Sequence, residues 1–332
     1  MRFGLFGSAQ ARRGTDRGAH GFGEFVDYNV EAEALGFHGS FVVEHHFTAI
    51  GQVSAPLALL AWVAARTTTL RLGTAVMVLP WHNPVLLAEE AATLDLMSGG
   101  RLDFGVGKGY RHSEFHGFAM AVGEAEARFD EALDIILEAW TSDRRFSHRG
   151  RFWRYDDILV EPAPLQRPHP PLWMAAGSAD SIEKAARRGA NLLLDQFADT
   201  ATLIARRDHY RRAVAAHGRA FDPRGVAVAR NLFVAYDGAE KTAALERLHR
   251  QHRTMLDLSR DPARAVRSHI LAYDGADPGA AALYGSPDEI ASALDELAAA
   301  GIDYVLLNTG GTSRETLRRF ARDVMPGFKE AA

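Results

Sequence analysis

Glu44, His45 and His46 stand side by side where the run "FVVEHHFT" passes from branched apolar residues into polar ones. An imidazole exchanges protons near neutral pH, and a neighbouring carboxylate can fix its tautomer or hydrogen-bond a ligand. Two adjacent histidines cannot both face inward from a regular strand, because side chains alternate. The trio reads equally as a solvated or structural loop cluster. A second candidate is "GVGKGYR", residues 105–111, in which glycines surround Lys108. Small residues permit close backbone approach, and an ammonium can contact a phosphate as a point charge. No Ser or Thr follows the lysine, so this is not a nucleotide P-loop, and an ordinary glycine-rich turn has the same composition. A third is "AAGSADSIEKAARRGA", where Gly177, Ser178 and Ser181 lead into a helix-forming stretch. Free N–H groups at a helix start, with serine hydroxyls beside them, make an anion site, although a plain N-cap needs the same residues. Taken with Lys108, the two loops describe a place for one phosphate.

Two further stretches carry less. "HSEFH" spaces His112 and His116 by four, but a zinc-hydrolase helix needs its glutamate directly after the first histidine, and Glu114 comes one position later. It reads as a substrate or partner loop following a glycine-rich turn. "VMVLPWHNP" reads as a rigid, proline-bounded turn with Trp81, His82 and Asn83 at a cavity rim.

These residues need strands and helices to hold them. Short β-type runs are expected at residues 3–7, 39–43, 70–78, 102–107, 172–176, 191–195, 227–235 and 304–308. Helical patterns fill 23–34, 56–66, 85–97, 125–140, 179–188, 201–217, 239–256, 288–300 and 314–324. Eight strand–helix repeats, with unbroken apolar strands such as "TAVMVL", point to a (β/α)8 TIM barrel. No composition shift divides residues 1–332, so one α/β domain is favoured over a two-domain doubly wound enzyme. Two segments break the rhythm. Residues 146–171, with five prolines and a turn at Arg149–Gly150, read as a small hairpin and extended insertion. Residues 257–287 form a long region before the last barrel unit, in the manner of a lid or binding loop. In a barrel the reactive groups gather at the C-terminal strand ends, where Glu44–His46, Lys108 and Gly177–Ser178 all fall.

Composition narrows the chemistry. A formal charge of -4 gives no electrostatic case for nucleic acid or an anionic membrane surface. No apolar run approaches the roughly 20 residues of a membrane span. The opening "MRFGLFGSAQ" reads as a strand entering a loop instead of a secretion signal, so a cytoplasmic location is expected. The chain has no cysteine, which excludes disulfides, thiolate metal ligands and a thiol nucleophile. Redox chemistry would have to come from a cofactor.

Four stretches together, "VVEHHFTAIG", "LRLGTAVMVLPWHNPVLLAEEAATLDLMSGGRLDFGVGKGY", "MAAGSADSIEKAARRGA" and "LYGSPDEIASALDELAAAGIDYVLL", resemble the bacterial luciferase-like, flavin-dependent monooxygenases in order and spacing. The resemblance implies a (β/α)8 barrel, usually a homodimer, that takes reduced FMN from a separate flavin reductase. With molecular oxygen the reduced flavin gives a flavin peroxide that oxygenates a small or medium organic substrate. The resemblance assigns catalysis to His45 and, secondarily, His46, with His45 a general acid/base near the reactive edge of the flavin. It assigns cofactor contacts to Glu44, Ala75, Val76, Lys108, Ala175, Gly177, Ser178 and Ser181. Lys108 takes the place of a phosphate-binding arginine, keeping the charge without the bidentate fork. Ala175 would lie beside the ring system, and the Ala75–Val76 peptide beneath it would be cis. Three positions depart from the luciferases. Gly107 replaces a cavity cysteine, Gly177 replaces a carboxylate of the phosphate loop, and 257–287 is only loosely like the mobile loop. Light emission from a long-chain aldehyde is therefore not implied. Hydride transfer with a deazaflavin, or flavin storage without turnover, would use the same barrel. Helices 56–66 and 85–97 are candidates for a dimer interface, and equally for packing on the barrel.

Overall fold

The structure is a computed structural model and describes residues 1–10, 18–260 and 269–328. Its strands are β1 (Arg2–Gly7), β2 (Gly39–Val42), β3 (Arg71–Thr74), β4 (Met77–Val78), β5 (Leu102–Gly107), β6 (Phe146–Arg149), β7 (Arg154–Ile158), β8 (Leu172–Ala175), β9 (Asn191–Leu194), β10 (Val226–Val234), β11 (Leu283–Gly285) and β12 (Tyr304–Asn308). Its helices are α1 (Gly18–Leu35), α2 (Pro56–Ala64), α3 (Pro84–Met97), α4 (His112–Gly117), α5 (Ala125–Thr141), α6 (Ala179–Arg187), α7 (Thr200–Ala216), α8 (Gly238–Ser259), α9 (Pro287–Ala299) and α10 (Arg314–Asp323). Parallel pairing runs β12–β1–β2–β3/β4–β5–β8–β9–β10 and closes through β10–β12, giving an eight-stranded TIM barrel with helices outside. β6 and β7 form the expected antiparallel hairpin around Arg149–Gly150.

The barrel's strands are apolar on both faces because one packs on helices and the other fills the interior. Phe41, Trp173, Leu193, Ala227, Tyr304 and Leu306 form the inner cluster. Its rings meet edge-to-face, with centroids 5.7 Å apart for Phe41–Trp173 and 6.1 Å for Trp173–Tyr304. Gly73 makes room for this plug, since a Cβ there would stand 2.3 Å from the Phe41 ring.

Three local readings are corrected. The expected single strand 70–78 is two pieces, β3 and β4, with Ala75–Val76 cis between them. Gly73 pairs with Asp103 and Met77 with Val106, so three residues (74–76) oppose two (104–105), a bulge that re-aims the chain. Thr74 bridges the interrupted ladder, its Oγ1 donating to the Gly105 carbonyl at 2.7 Å and accepting the Gly105 N–H at 2.8 Å. Residues 112–117, read as loop, are helix α4. The 257–287 region begins as the end of α8, and its tail adds β11 in parallel to β10. Residues 261–268 of that region lie outside the described residues.

Candidate active site

β2 carries Phe41 into the barrel interior, and His45 follows three residues past the strand's C-terminal end, at the mouth. His45 Nδ1 lies 3.0 Å from Glu114 Oε1, and that same oxygen accepts the His46 backbone N–H at 2.9 Å. Glu114 comes from α4 and is 1% exposed. An ionised carboxylate only accepts, so the Nδ1 proton points at Glu114 and the neutral ring presents its Nε2 lone pair elsewhere. Arg111 Nη1 stands 3.8 Å from Glu114 Oε1 and 3.1 Å from Gln52 Oε1. Burial pushes the His45 pKa down, the Glu114 hydrogen bond pulls it up, and the Arg111 charge lowers it again. The net position is below the ordinary imidazole value. His45 is therefore neutral at pH 7 and able to take a proton.

His46 turns the other way. Its Nε2 lies 2.9 Å from Glu44 Oε1, and its ring meets Trp81 and Phe118 edge-on at 5.3 and 4.8 Å. The same Glu44 oxygen lies 2.7 Å from His82 Nε2, while Oε2 accepts the Val78 N–H at 2.7 Å. Burial works to raise the Glu44 carboxyl, but the bonds from His46, His82 and Val78 outweigh it and hold it below the ordinary carboxylate value. Glu44 thus ties the end of β2 to the turn after β4. The adjacent histidines divide: one at the mouth on Glu114, one packed behind it on Glu44.

Next round the mouth come small side chains. Ala75, Val76, Gly107 and Ala175 lie at partly open positions on neighbouring strands. Gly107 is required by its neighbour, since a Cβ there would stand 2.5 Å from Val76 Cγ2. Three adjacent strands span about 10 Å, so these residues form a low apolar shelf wide enough for a fused ring system.

Beyond the shelf lies the polar end. Ser178 caps α6, accepting the Ser181 N–H at 3.3 Å, and Ser181 Oγ accepts the Gly177 and Ser178 N–H groups at 3.2 and 3.1 Å. Lys108 Nζ is 2.6 Å from Glu126 Oε2 on α5, and Lys184 on α6 pairs with the other Glu126 oxygen and with Asp130 at 2.9 Å. Against Gly177 lies Arg206 of α7, which donates to Asp195 Oδ2 at 2.8 Å and Tyr273 Oη at 3.2 Å. Glu114 and Arg206 are residues that sequence reasoning passed over. Glu114 was visible only inside "HSEFH", weighed as a metal motif. Among the described residues no group of three His, Cys, Asp or Glu is arranged to hold a metal ion.

Comparison with known proteins bears on the family and the fold. The family model described as luciferase-like monooxygenase matches residues 1–304. The uncharacterized protein y4vJ of Sinorhizobium fredii is 33% identical over 254 residues, 76% of this chain and 72% of its own. The oxygenase component of a flavin-dependent trigonelline monooxygenase from Acinetobacter baylyi is 32% identical over 194 residues; the match spans 58% of this chain and about half, 53%, of that one. Among solved structures, the monooxygenase RslO1 from Streptomyces bottropensis superposes with a TM-score of 0.87 at 28% identity, covering 99% of this chain and 100% of that one.

Proposed function

The chain belongs to the luciferase-like monooxygenase family, and from that premise we propose that it is the oxygenase of a two-component, FMN-dependent system acting on a small or medium organic substrate. The observation that carries the reading is a mouth with a Glu114-anchored His45, an apolar shelf and a cation-and-hydroxyl end. That donor set fits FMN: shelf for the ring system, Lys108 and the Gly177–Ser181 loop for the phosphate. Reduced FMN supplies the two electrons by which one atom of molecular oxygen enters the substrate and the other leaves as water.

The rest is the protein's work. His45 Nε2 holds or returns a proton at the reacting edge, with Glu114 fixing its tautomer and orientation. Ala75, Val76 and Ala175 support the ring, and Gly107 makes room for the Val76 side chain beside it. Glu44 and His46 position the loop from behind. Lys108, released from Glu126, meets the phosphate as a point charge. The trigonelline relative is by name an oxygenase component, which supports a separate reductase as the source of reduced FMN. The protein works in the cytoplasm as a homodimer through α2 and α3, where Trp62, Leu86 and Met97 are 45%, 57% and 63% exposed.

Two substitutions test the site. His45→Ala should keep flavin binding within a few-fold while slowing oxygenation by about 100-fold or more, the scale of a lost general acid/base. Normal stopped-flow turnover would remove its role. Lys108→Ala should weaken FMN more than riboflavin, because only FMN carries the phosphate; equal losses would defeat the phosphate assignment.

A further inference from the structure

We propose that Arg206 is a further binding residue for the phosphate-bearing tail of the flavin, held in place by Tyr273 of the 257–287 segment; this rests on the phosphate-loop reading above. Trp173 of β8 faces the barrel interior, and Gly177 follows two residues past the end of that strand. A Cβ at Gly177 would lie in close contact with the Arg206 guanidinium, with Nη2 at 3.3 Å, Cζ at 3.4 Å and Nη1 at 3.7 Å. All three atoms are nearly equidistant, so the guanidinium plane lies flat against the glycine. A Cβ at 177 would press it back by a few tenths of an ångström.

The guanidinium is well braced. Asp195 Oδ2 accepts from Nη1, Tyr273 Oη from Nη2, and Tyr273 itself donates to Asp195 Oδ2 at 3.0 Å. Asp195 is fixed in turn, its Oδ1 accepting the Phe197 and Ala198 N–H groups at 2.9 and 3.0 Å. These described bonds use two of the five donors of the fork.

Two departures noted in the sequence then explain each other. Lys108 gives a phosphate charge but no bidentate geometry, and Gly177 has no side chain. The glycine lets an arginine from α7 lie against the loop and offer a planar fork there. Lys108, just past the end of β5, supplies the second cation, linked towards α6 through Glu126 and Lys184. Tyr273, at the end of the turn His269–Tyr273, braces this grip through its bonds to Arg206 and Asp195.

The test is flavin titration by fluorescence, with FMN and riboflavin as separate probes, on the full-length protein. Arg206→Gln should raise the FMN Kd by about 10-fold or more, the scale of a charge-assisted hydrogen bond, and the riboflavin Kd by less than about 3-fold. Arg206→Lys should fall between, and Tyr273→Phe should raise the FMN Kd by a few-fold. Equal shifts for both flavins, or none, would overturn the role of Arg206. Should Arg206→Gln unfold, Arg206→Lys and Tyr273→Phe carry the same comparison. Lys108→Ala separates the two readings: if it discriminates FMN from riboflavin and the Arg206 variants do not, only this inference fails. If Lys108→Ala does not discriminate either, the phosphate loop itself is misassigned.

Discussion

A single oxygen, Glu114 Oε1, meets the His45 ring and the His46 backbone at once, so one buried carboxylate sets the direction of the whole Glu-His-His turn. Glu114→Ala would leave a buried ring N–H and a backbone N–H unpaired, and should lower stability by about 1–3 kcal/mol while cutting turnover far more than flavin affinity. Glu114→Gln keeps an acceptor and should recover most of the stability but not the turnover; equal recovery of both would make Glu114 purely structural. The pH behaviour follows from the lowered His45 pKa. Above about pH 6.5 the ring is neutral in folded and unfolded chains alike. As the pH falls through that value the unfolded chain takes up the proton first, so stability drops until the lower folded pKa is reached. His45→Asn should remove this share, making the urea midpoint less sensitive between about pH 7 and 5.5 than in the wild type; an unchanged sensitivity would mean that His45 does not carry it. At this scale the residues at strand ends were legible, because strand ends carry barrel chemistry. Their partners were not: His45 and Glu114 are 69 positions apart, and no local pattern joins them.

At the scale of elements, helix starts were written in the sequence. Asn83–Pro84 opens α3, Asp199 opens α7, and Ser286–Pro287 with Glu289 makes the capping box of α9. The family-marking stretch "LDLMSGGR" is structural, not catalytic. Asp95 accepts from Gln166, and Arg101 donates to the Ala64, Thr67 and Leu70 carbonyls, tying the end of α2 to β5. The bulge at residues 74–76 was not legible as a break, since an apolar run reads the same whether straight or interrupted. The cis peptide there came only from family likeness. Gly105 is the position that permits the bulge, because its Cβ would stand 1.8 Å from the Thr74 carbonyl oxygen. Gly105→Ala should therefore destabilise by about 1–3 kcal/mol or more through overpacking against main chain that cannot yield. A melting temperature within a degree of wild type would show that the bulge tolerates a side chain.

For the whole molecule, the barrel was legible because eight apolar strands alternate with amphipathic helices, and a parallel sheet covered on both faces admits few closures. What composition cannot reveal is which outer face meets a second copy. On the proposal that α2 and α3 form that face, a paired Leu86→Glu/Met97→Glu variant should sediment as a monomer and the wild type as a dimer. A wild type that sediments as a monomer would end the dimer proposal. The proposed chemistry turns on which flavin the mouth binds. Its most direct test is an anaerobic titration of the protein with reduced FMN, oxidised FMN, riboflavin and a reduced deazaflavin. Reduced FMN should bind tightest, by about 10-fold or more over the deazaflavin, whereas tighter binding of the deazaflavin would contradict the assignment of FMN-dependent oxygenation.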